Sequence, residues 1–137
     1  MWQIHGYALC AFTRKVRLGL AEKRVAFELV EVFPWENLPA FLARNPAGFT
    51  PVVTEPDSRI VLADSNAILE YFDEIQEQAP LFGSGPAERA EVRRLIAWFD
   101  QKFYAEVGLP YLQERMWHRL FTHQAPDGTV LRHAHQA

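Results

Sequence analysis

The sequence lacks the features that mark secreted, membrane and nucleic-acid-binding proteins. It has one cysteine among 137 residues, so no internal disulfide can form, which fits a reducing compartment. No stretch approaches the roughly 18 apolar residues of a membrane span, and the first residues do not resemble a secretory signal. A net charge of −3 gives no reason to expect nucleic acid. We therefore predict a cytoplasmic protein that binds neither membrane nor nucleic acid.

The histidines lack the spacing of metal ligands. His118 lies in a predicted helix, and His123, His133 and His135 follow near the end of the chain. Metal sites combine histidine or cysteine at helical or hairpin spacing. These side chains are therefore predicted to lie on the surface, and no metal is expected.

The first half of the chain has the pattern of an α/β domain. Residues 2–5 form a predicted strand, residues 11–24 a helix and residues 25–33 a second strand. A strand, a helix and a strand of this size form a βαβ unit with parallel strands. The helix has an apolar face and a charged face; Phe12, Val16, Leu20 and Ala21 form the former, and Arg14, Lys15, Arg17, Glu22 and Lys23 the latter.

The segment that follows adds a short helix, a hairpin and a longer helix. "LPAFLARN" is long enough for one short helix, and the strands Val52–Thr54 and 60–62 flank a turn, which indicates an antiparallel hairpin. The helix that starts near Asp64 has Ile68, Leu69, Phe72 and Ile75 on one stripe. The order βαβ–α–ββ–α predicts one α/β domain over residues 1–77.

The stretch "APLFGSGPAE" is the clearest break, because it has two prolines and two glycines within ten residues. It predicts a linker over residues 78–85 and an all-helical second domain over 86–137, with Pro86 in its first turn. Gly108 and Pro110 are expected to interrupt the helix that begins at Pro86. The helices carry many aromatic residues. Their apolar surface is therefore expected to pack against the first domain, a partner chain or further helices. The aromatic residues are Trp98, Phe99, Phe103, Tyr104, Tyr111, Trp117 and Phe121.

Three short segments contain residues that could take part in catalysis or ligand binding. Cys10 falls at the start of the first helix, where free amides and the helix dipole favour a thiolate, and Arg14 and Arg17 add positive charge. A buried cysteine without a role is an equally good interpretation. Thr50-Pro51 opens a strand, and a cis bond there would expose the Thr50 backbone to a ligand, although the residues alone favour trans.

Asp64 and Ser65 begin the third helix. Either side chain can cap it, and the free amides at this end can hold an anion such as a carboxylate. Without further context, a plain helix cap is the better interpretation.

Together, "CAFTRKVRLGLAEKRVAFELVEV", "NPAGFTPVV" and "LADSNAILEYFDE" resemble the glutathione S-transferase family. The resemblance implies a thioredoxin-like domain, followed by an all-α domain that is incomplete here. It implies that Cys10 is the catalytic thiol, that Thr50 and the cis-proline Pro51 contact the cysteine moiety of glutathione, and that Asp64 and Ser65 hold its γ-glutamyl end.

The sequence departs from the family pattern at three places. Ala11 replaces the usual proline after the nucleophile, and Thr50 replaces an aliphatic residue. No lysine occurs between Lys23 and Lys102 to hold the glycyl carboxylate, and Arg44 is the alternative cation.

A narrower similarity is carried by "AERAEVRRLIAWFDQKFYAEV" and "APDGTVLRHA". These segments resemble the α-proteobacterial subgroup that includes a division protein binding the tubulin-like GTPase FtsZ. The resemblance thus implies two functions. One is a dimeric glutathione or thiol transferase that acts on a small electrophile or disulfide with glutathione as co-substrate. The alternative is a scaffold without catalysis that binds a protein such as FtsZ through its helical domain; a protein that binds glutathione without turnover is a third possibility.

Overall fold

The computed structural model describes residues 1–57 and 59–137, which form two compact units, Met1–Phe82 and Gly83–Ala137. Among these residues, no helix is long and apolar enough to cross a membrane. In the same ranges, no group of histidine, cysteine and acidic side chains is arranged to hold a metal ion.

The first unit contains a four-stranded mixed sheet. Its strands are β1 (Trp2–Gly6), β2 (Phe27–Glu31), β3 (Val52–Thr54) and β4 (Val61–Ala63), in the order β2-β1-β3-β4. β1 and β2 are parallel, whereas β3 is antiparallel to both of its neighbours. The predicted βαβ unit and hairpin are both confirmed.

Three helices and one short turn complete this thioredoxin-like unit. They are α1 (Ala11–Glu22), a 3₁₀ turn (Pro34–Glu36), α2 (Pro39–Arg44) and α3 (Ser65–Ile75). α1 and α3 contact each other, and their apolar stripes are buried together with Ile4 and Val53 of the sheet. The buried apolar residues of α1 and α3 are Val16, Leu20, Ile68, Leu69 and Phe72.

Two residues that the helical pattern assigned to the core are exposed. Ala21 lies about 100° around α1 from buried Leu20, outside the narrow stripe that is buried. Ile75 is the last residue of α3 and is exposed although it shares the stripe of Phe72. The stripe therefore extends one turn less than its sequence pattern.

Lys23, which the pattern assigned to the solvent face, is buried. Its Nζ lies 2.8 Å from Asp73 Oδ1 of α3, and the two side chains are 0% and 4% exposed. Lys23 also donates to the carbonyls of Gln76 (2.9 Å) and Gln78 (3.2 Å). Burial by itself raises the pKa of Asp73, but hydrogen bonds from Lys23 and from the amides of Leu81 and Phe82 lower it overall. A lysine at the end of α1 thus anchors the segment that follows α3.

The second unit is helical. α4 (Pro86–Ala97) leads into a wide π-helical segment (Trp98–Gly108), α5 (Leu109–Leu112) and a second π-helical segment (Gln113–Thr122); α6 (Gly128–Gln136) follows. Pro86 begins α4 as predicted.

The expected interruption at Gly108 and Pro110 does not occur. Gly108 has φ −61° and ψ −51°, so the backbone stays helical there. The amide of Leu109 donates to the carbonyl of Tyr104, five residues back, as in a π-helix. Pro110 has no amide to donate, and the backbone is nevertheless helical on both sides of it.

Helix α6 was not predicted from the sequence as a separate element. Asp127 caps it by accepting from the amide of Thr129 at 2.7 Å, and its own amide donates to Glu114 Oε2 at 2.7 Å. Asp-Gly is a common turn signal, but an aspartate shortly before an apolar pair such as Val130 and Leu131 is also a helix-start signal. His123, His133 and His135 are exposed, as predicted, whereas His118 is half-buried and its Nδ1 lies 3.2 Å from Glu114 Oε2.

Candidate functional site

Strand register brings the three predicted site segments to one edge of the sheet. His5 of β1 pairs with Val52 of β3, and Val52 pairs with Ala63 of β4. The loop before Cys10 leaves this edge, Thr50-Pro51 enters it, and Asp64 follows it directly. Segments that are 14 to 54 residues apart in sequence therefore lie at the same end of the sheet, because β3 is antiparallel to both neighbours.

Cys10 is the N-cap residue of α1. Its backbone is extended (φ −70°, ψ 120°), and Sγ accepts from the amide of Thr13 at 3.5 Å. The residue is 6% exposed. The sulfur thus lies at the positive end of a 12-residue helix, where an amide and the helix dipole favour negative charge.

Thr50 contacts the Cys10 sulfur directly. The Thr50 hydroxyl donates to Sγ over 3.4 Å, and Sγ lies 3.8 Å from the Thr50 carbonyl oxygen. Both residues are buried. The Thr50-Pro51 peptide bond is cis, as the family resemblance implied, so the trans form favoured by the residues alone is wrong.

Asp64 caps α3, as the simpler interpretation predicted. Its Oδ1 accepts from the amides of Asn66 (2.8 Å) and Ala67 (3.1 Å), and its φ is +73°. Asp64 is exposed and Ser65 is buried. Lys15 Nζ donates to Asn66 Oδ1 at 2.8 Å and so ties α1 to this end of α3. Two amides at the α3 terminus are thus already paired with Asp64, which leaves a charged carboxylate at the surface.

Arg44, the alternative cation, ends α2. Its Nη1 donates to the carbonyl of Ala40 at 3.3 Å, and its charge acts on His5 in β1. Phe49, in the loop before Thr50, is 74% exposed. The loop beside the thiol therefore presents an aromatic side chain to solvent.

His5 is a buried titratable group next to the end of β1. Its Nε2 lies 2.9 Å from Thr54 Oγ1. Burial lowers the pKa of His5, the charge of Arg44 lowers it further, and Glu28 opposes both effects. His5 is therefore a neutral partner of Thr54 at neutral pH.

An aromatic cluster at the same edge was missed by the sequence analysis. Ring centroids are 5.2 Å apart for Tyr7 and Trp35, 5.8 Å for Tyr7 and Phe33, and 4.9 Å for Phe33 and Trp35. The available signal was the predicted parallel pairing, because β1 and β2 end side by side and these residues follow their ends. The cluster flanks the loop in which the Cys10 amide donates to the Tyr7 carbonyl.

The sequence is similar to known proteins over most of its length. Residues 4–80 match the family description "Glutathione S-transferase, N-terminal domain". The chain is 43% identical over 136 residues to FtsZ-localized protein A of Caulobacter vibrioides, covering 98% of this chain and 60% of that protein. It is 37% identical over 120 residues to glutathione S-transferase 1 of Dianthus caryophyllus, covering 83% of this chain and 53% of that protein.

Solved structures share this fold. The crystal structure of a glutathione S-transferase from Rhodospirillum rubrum superposes with a TM-score of 0.92 at 40% identity, covering 99% of this chain and 61% of that one. The chain thus spans between half and two thirds of the length of these relatives. From the matched domain, the shared fold and the sequence identity, the chain belongs to the glutathione S-transferase family.

Proposed function

We propose that the first unit binds glutathione and exchanges thiols through Cys10. The observation that carries the proposal is the position of the Cys10 sulfur, at the N-terminus of α1 and within 3.4 Å of the Thr50 hydroxyl. The thiolate form of such a sulfur is the species that attacks disulfides.

The proposed reaction is exchange with a disulfide that contains glutathione. The Cys10 thiolate attacks one sulfur, and a new S–S bond joins Cys10 to that half of the disulfide. The original S–S bond breaks, and the other half leaves as a thiolate that takes a proton from water. Transfer of glutathione to a small electrophile is the related reaction of the same site.

The remaining site residues would hold the tripeptide. Asp64 presents a carboxylate that suits the ammonium of a γ-glutamyl group, and Ser65 supplies a hydroxyl and an amide beside it. Thr50 would contact the cysteine moiety through its backbone. Arg44 is the cation that would replace the missing lysine at the glycyl carboxylate.

Glutathione titration calorimetry on three variants tests this proposal. Cys10→Ala should bind glutathione about as tightly as wild type but form no adduct with glutathione disulfide by intact mass. Asp64→Asn keeps a capping side chain and removes the charge, so affinity should fall about tenfold. Asp127→Asn, the same change at the α6 cap, is the matched control and should leave affinity unchanged.

No heat of binding and no adduct from folded wild-type protein would refute the proposal. That result would support the interpretation of Cys10 as a buried capping residue, which its low exposure also fits. Binding without any adduct would support a glutathione-binding protein without turnover.

A second candidate function is that of a scaffold for a protein partner such as FtsZ. It is favoured by the similarity to FtsZ-localized protein A and by an aromatic face on the second unit. Trp98, Phe99 and Phe103 are 43%, 52% and 39% exposed and contact one another, with centroids 4.9 to 5.9 Å apart. Exposed aromatic clusters are typical of protein interfaces.

A cytoplasmic location stays a prediction under either function.

Binding of purified FtsZ polymers, followed by co-sedimentation, tests the scaffold function. Trp98→Ala/Phe99→Ala should weaken binding at least tenfold, whereas Trp35→Ala, at an exposed aromatic residue of the first unit, should not. Equal binding by all three proteins would rule out the aromatic face as the docking surface. Sedimentation velocity on the same samples tests the expected homodimer, since a monomer at micromolar concentration would contradict it.

A further inference from the structure

The second π-helical segment, Gln113–Thr122, has a buried side and an exposed side. On the buried side, Glu114 Oε2 accepts from the amide of Asp127 at 2.7 Å and lies 3.2 Å from His118 Nδ1. Glu114 is 7% exposed and is the one acidic residue in the sequence of this segment. The negative charge of the segment is therefore buried and already holds the residue that caps α6.

The exposed side carries positive charge beside apolar surface. Residues four positions apart lie on the same side of this segment, since the rings of Trp117 and Phe121 are 5.1 Å apart. Arg115 and Arg119 have this spacing, and both are exposed. Leu120 and Phe121, which follow directly, are each 52% exposed. The basic-apolar face is defined by four residues, Arg115, Arg119, Leu120 and Phe121.

The two arginines of this face lack the acidic neighbour that other surface cations of the unit have. Arg94, for example, pairs with Glu91 at 2.7 Å. No acidic residue stands three or four positions from Arg115 or Arg119. Within the part of the chain that the structure describes, neither arginine is paired with a carboxylate. Like charges four residues apart on a helix repel each other, so a partner's carboxylates would relieve a repulsion that no neighbouring side chain balances.

An acidic protein segment fits this face better than other polyanions do. Residues 113–137 hold three arginines against two acids, a net charge of +1, so residues 1–112 carry −4 of the total of −3. That negative charge repels a nucleic acid that extends past the face. Clusters that bind anionic membranes hold about four to eight basic residues, whereas this face holds only its pair of arginines.

We propose that the basic-apolar face is a docking surface for an acidic amphipathic helix of a partner protein. The partner's carboxylates, one turn apart, would accept hydrogen bonds from the guanidinium groups of Arg115 and Arg119. Its apolar side chains would pack on Leu120 and Phe121. Complementary charge chiefly speeds encounter and fixes orientation, and the apolar contact adds affinity. The inference rests on the scaffold function and extends it, because it names the chemistry of the partner's segment.

A synthetic peptide serves as the probe. It repeats Glu-Leu-Ala-Ala over about 16 residues, long enough for a helix, and carries fluorescein so that anisotropy reports binding. Arg115→Gln/Arg119→Gln removes both charges and should bind the peptide about tenfold more weakly than wild type. Arg115→Lys/Arg119→Lys keeps the charges and should lose about threefold at most. The same peptide with Lys in place of Glu should not bind to wild type.

Arg93→Gln/Arg94→Gln is the matched control, because it removes the same charge from two exposed arginines of α4. Its affinity for the peptide should match wild type. Leu120→Gln removes apolar contact and should weaken binding about threefold. Raising NaCl from about 50 to about 300 mM should weaken wild type more than the variant without the two charges. Circular dichroism is the control that each variant is folded.

Equal affinity of wild type and Arg115→Gln/Arg119→Gln for the peptide would overturn the proposal, as would equal binding of the Glu and Lys peptides. Absence of peptide binding would overturn it too. Sedimentation velocity and pelleting with phosphatidylglycerol vesicles would then show whether a second copy of this chain or an anionic membrane uses the face instead.

The peptide assay contains neither FtsZ nor glutathione, and its variants leave Trp98, Phe99 and Cys10 unchanged. Failure of FtsZ to bind would therefore refute the scaffold function for FtsZ and leave the peptide result standing. Failure of the peptide to bind would refute the docking surface and leave the FtsZ result standing.

Discussion

At the scale of single residues, two buried threonines of the first unit differ in one respect. The hydroxyl of Thr54 contacts Nε2 of His5 at 2.9 Å, whereas the structure, over residues 1–57 and 59–137, gives the hydroxyl of Thr13 no partner. A buried polar group without a hydrogen bond costs free energy, and one with a bond is expensive to disrupt.

We expect opposite effects from the same substitution at these two sites. Thr13→Val replaces an unpaired hydroxyl by a methyl group and should raise the free energy of unfolding by about 1 kcal/mol. Thr54→Val leaves His5 without its partner and should lower it by about 1–3 kcal/mol. Urea unfolding at pH 7.5 measures both, and a similar loss in the two variants would contradict the assignment.

His5 should make stability depend on pH. Its pKa is lowered in the folded state, first by burial and then by Arg44. As pH falls below the unfolded value of 6.5, the unfolded chain takes up a proton that the folded chain does not. The stabilisation is therefore complete above pH 6.5 and is lost as pH falls toward the folded pKa.

The measurement is the drop in unfolding free energy between pH 7.5 and pH 5.5. His5→Gln should show a smaller drop than wild type. His135→Gln, at an exposed histidine of α6, should show the wild-type drop. The assignment is wrong if both variants keep the wild-type drop.

At the scale of secondary-structure elements, the Lys23–Asp73 pair joins the end of α1 to α3 and to the chain after it. Asp73 also accepts from the amides of Leu81 (2.8 Å) and Phe82 (3.1 Å). A buried charge that loses its partner is costly, even though the intact pair contributes little relative to apolar residues.

Lys23→Met should therefore lower the free energy of unfolding by about 3–5 kcal/mol. Lys102→Met is the matched control, because Lys102 pairs with Glu106 at the surface, where the side chains are 56% and 43% exposed. Chemical denaturation compares the two, and the control should match wild type within error. A Lys23→Met variant as stable as the control would show that the pair does not anchor these elements.

At the scale of the whole molecule, the candidate thiol site and the aromatic face lie in different units. Cys10, Thr50 and Asp64 belong to Met1–Phe82, and Trp98 and Phe99 belong to Gly83–Ala137. The second unit also has an open groove of about 530 Å³ lined by apolar residues and His135.

The two proposed functions should therefore be separable by mutation. Cys10→Ala should abolish the glutathione adduct and keep FtsZ binding, and Trp98→Ala/Phe99→Ala should do the opposite. Trp98 and Phe99 are 43% and 52% exposed, so the double variant loses some buried apolar area and should unfold at a lower urea midpoint than wild type; a circular dichroism spectrum like that of wild type is the control that it is folded in the assays. Loss of both functions in either folded variant would show that the two units act together.

The sequence by itself determined the local elements and the positions of the candidate site residues within them. Caps, turns and apolar periodicity depend on residues a few positions apart. These signals were sufficient to predict the elements from β1 to α3 and to place Cys10 at the start of α1 and Asp64 at the start of α3. The family motifs added the cis bond at Thr50-Pro51, which the residues alone did not favour.

Only the tertiary structure decided which distant groups meet. The hydrogen bond between Thr50 and Cys10 spans 40 residues and depends on strand register. The burial of Lys23 depends on an aspartate 50 residues later, so a helical pattern alone assigned it to solvent. Apolar periodicity is a property of one element, whereas pairing and burial are properties of two elements in contact. The periodicity of a single element therefore does not predict which residues pair or are buried.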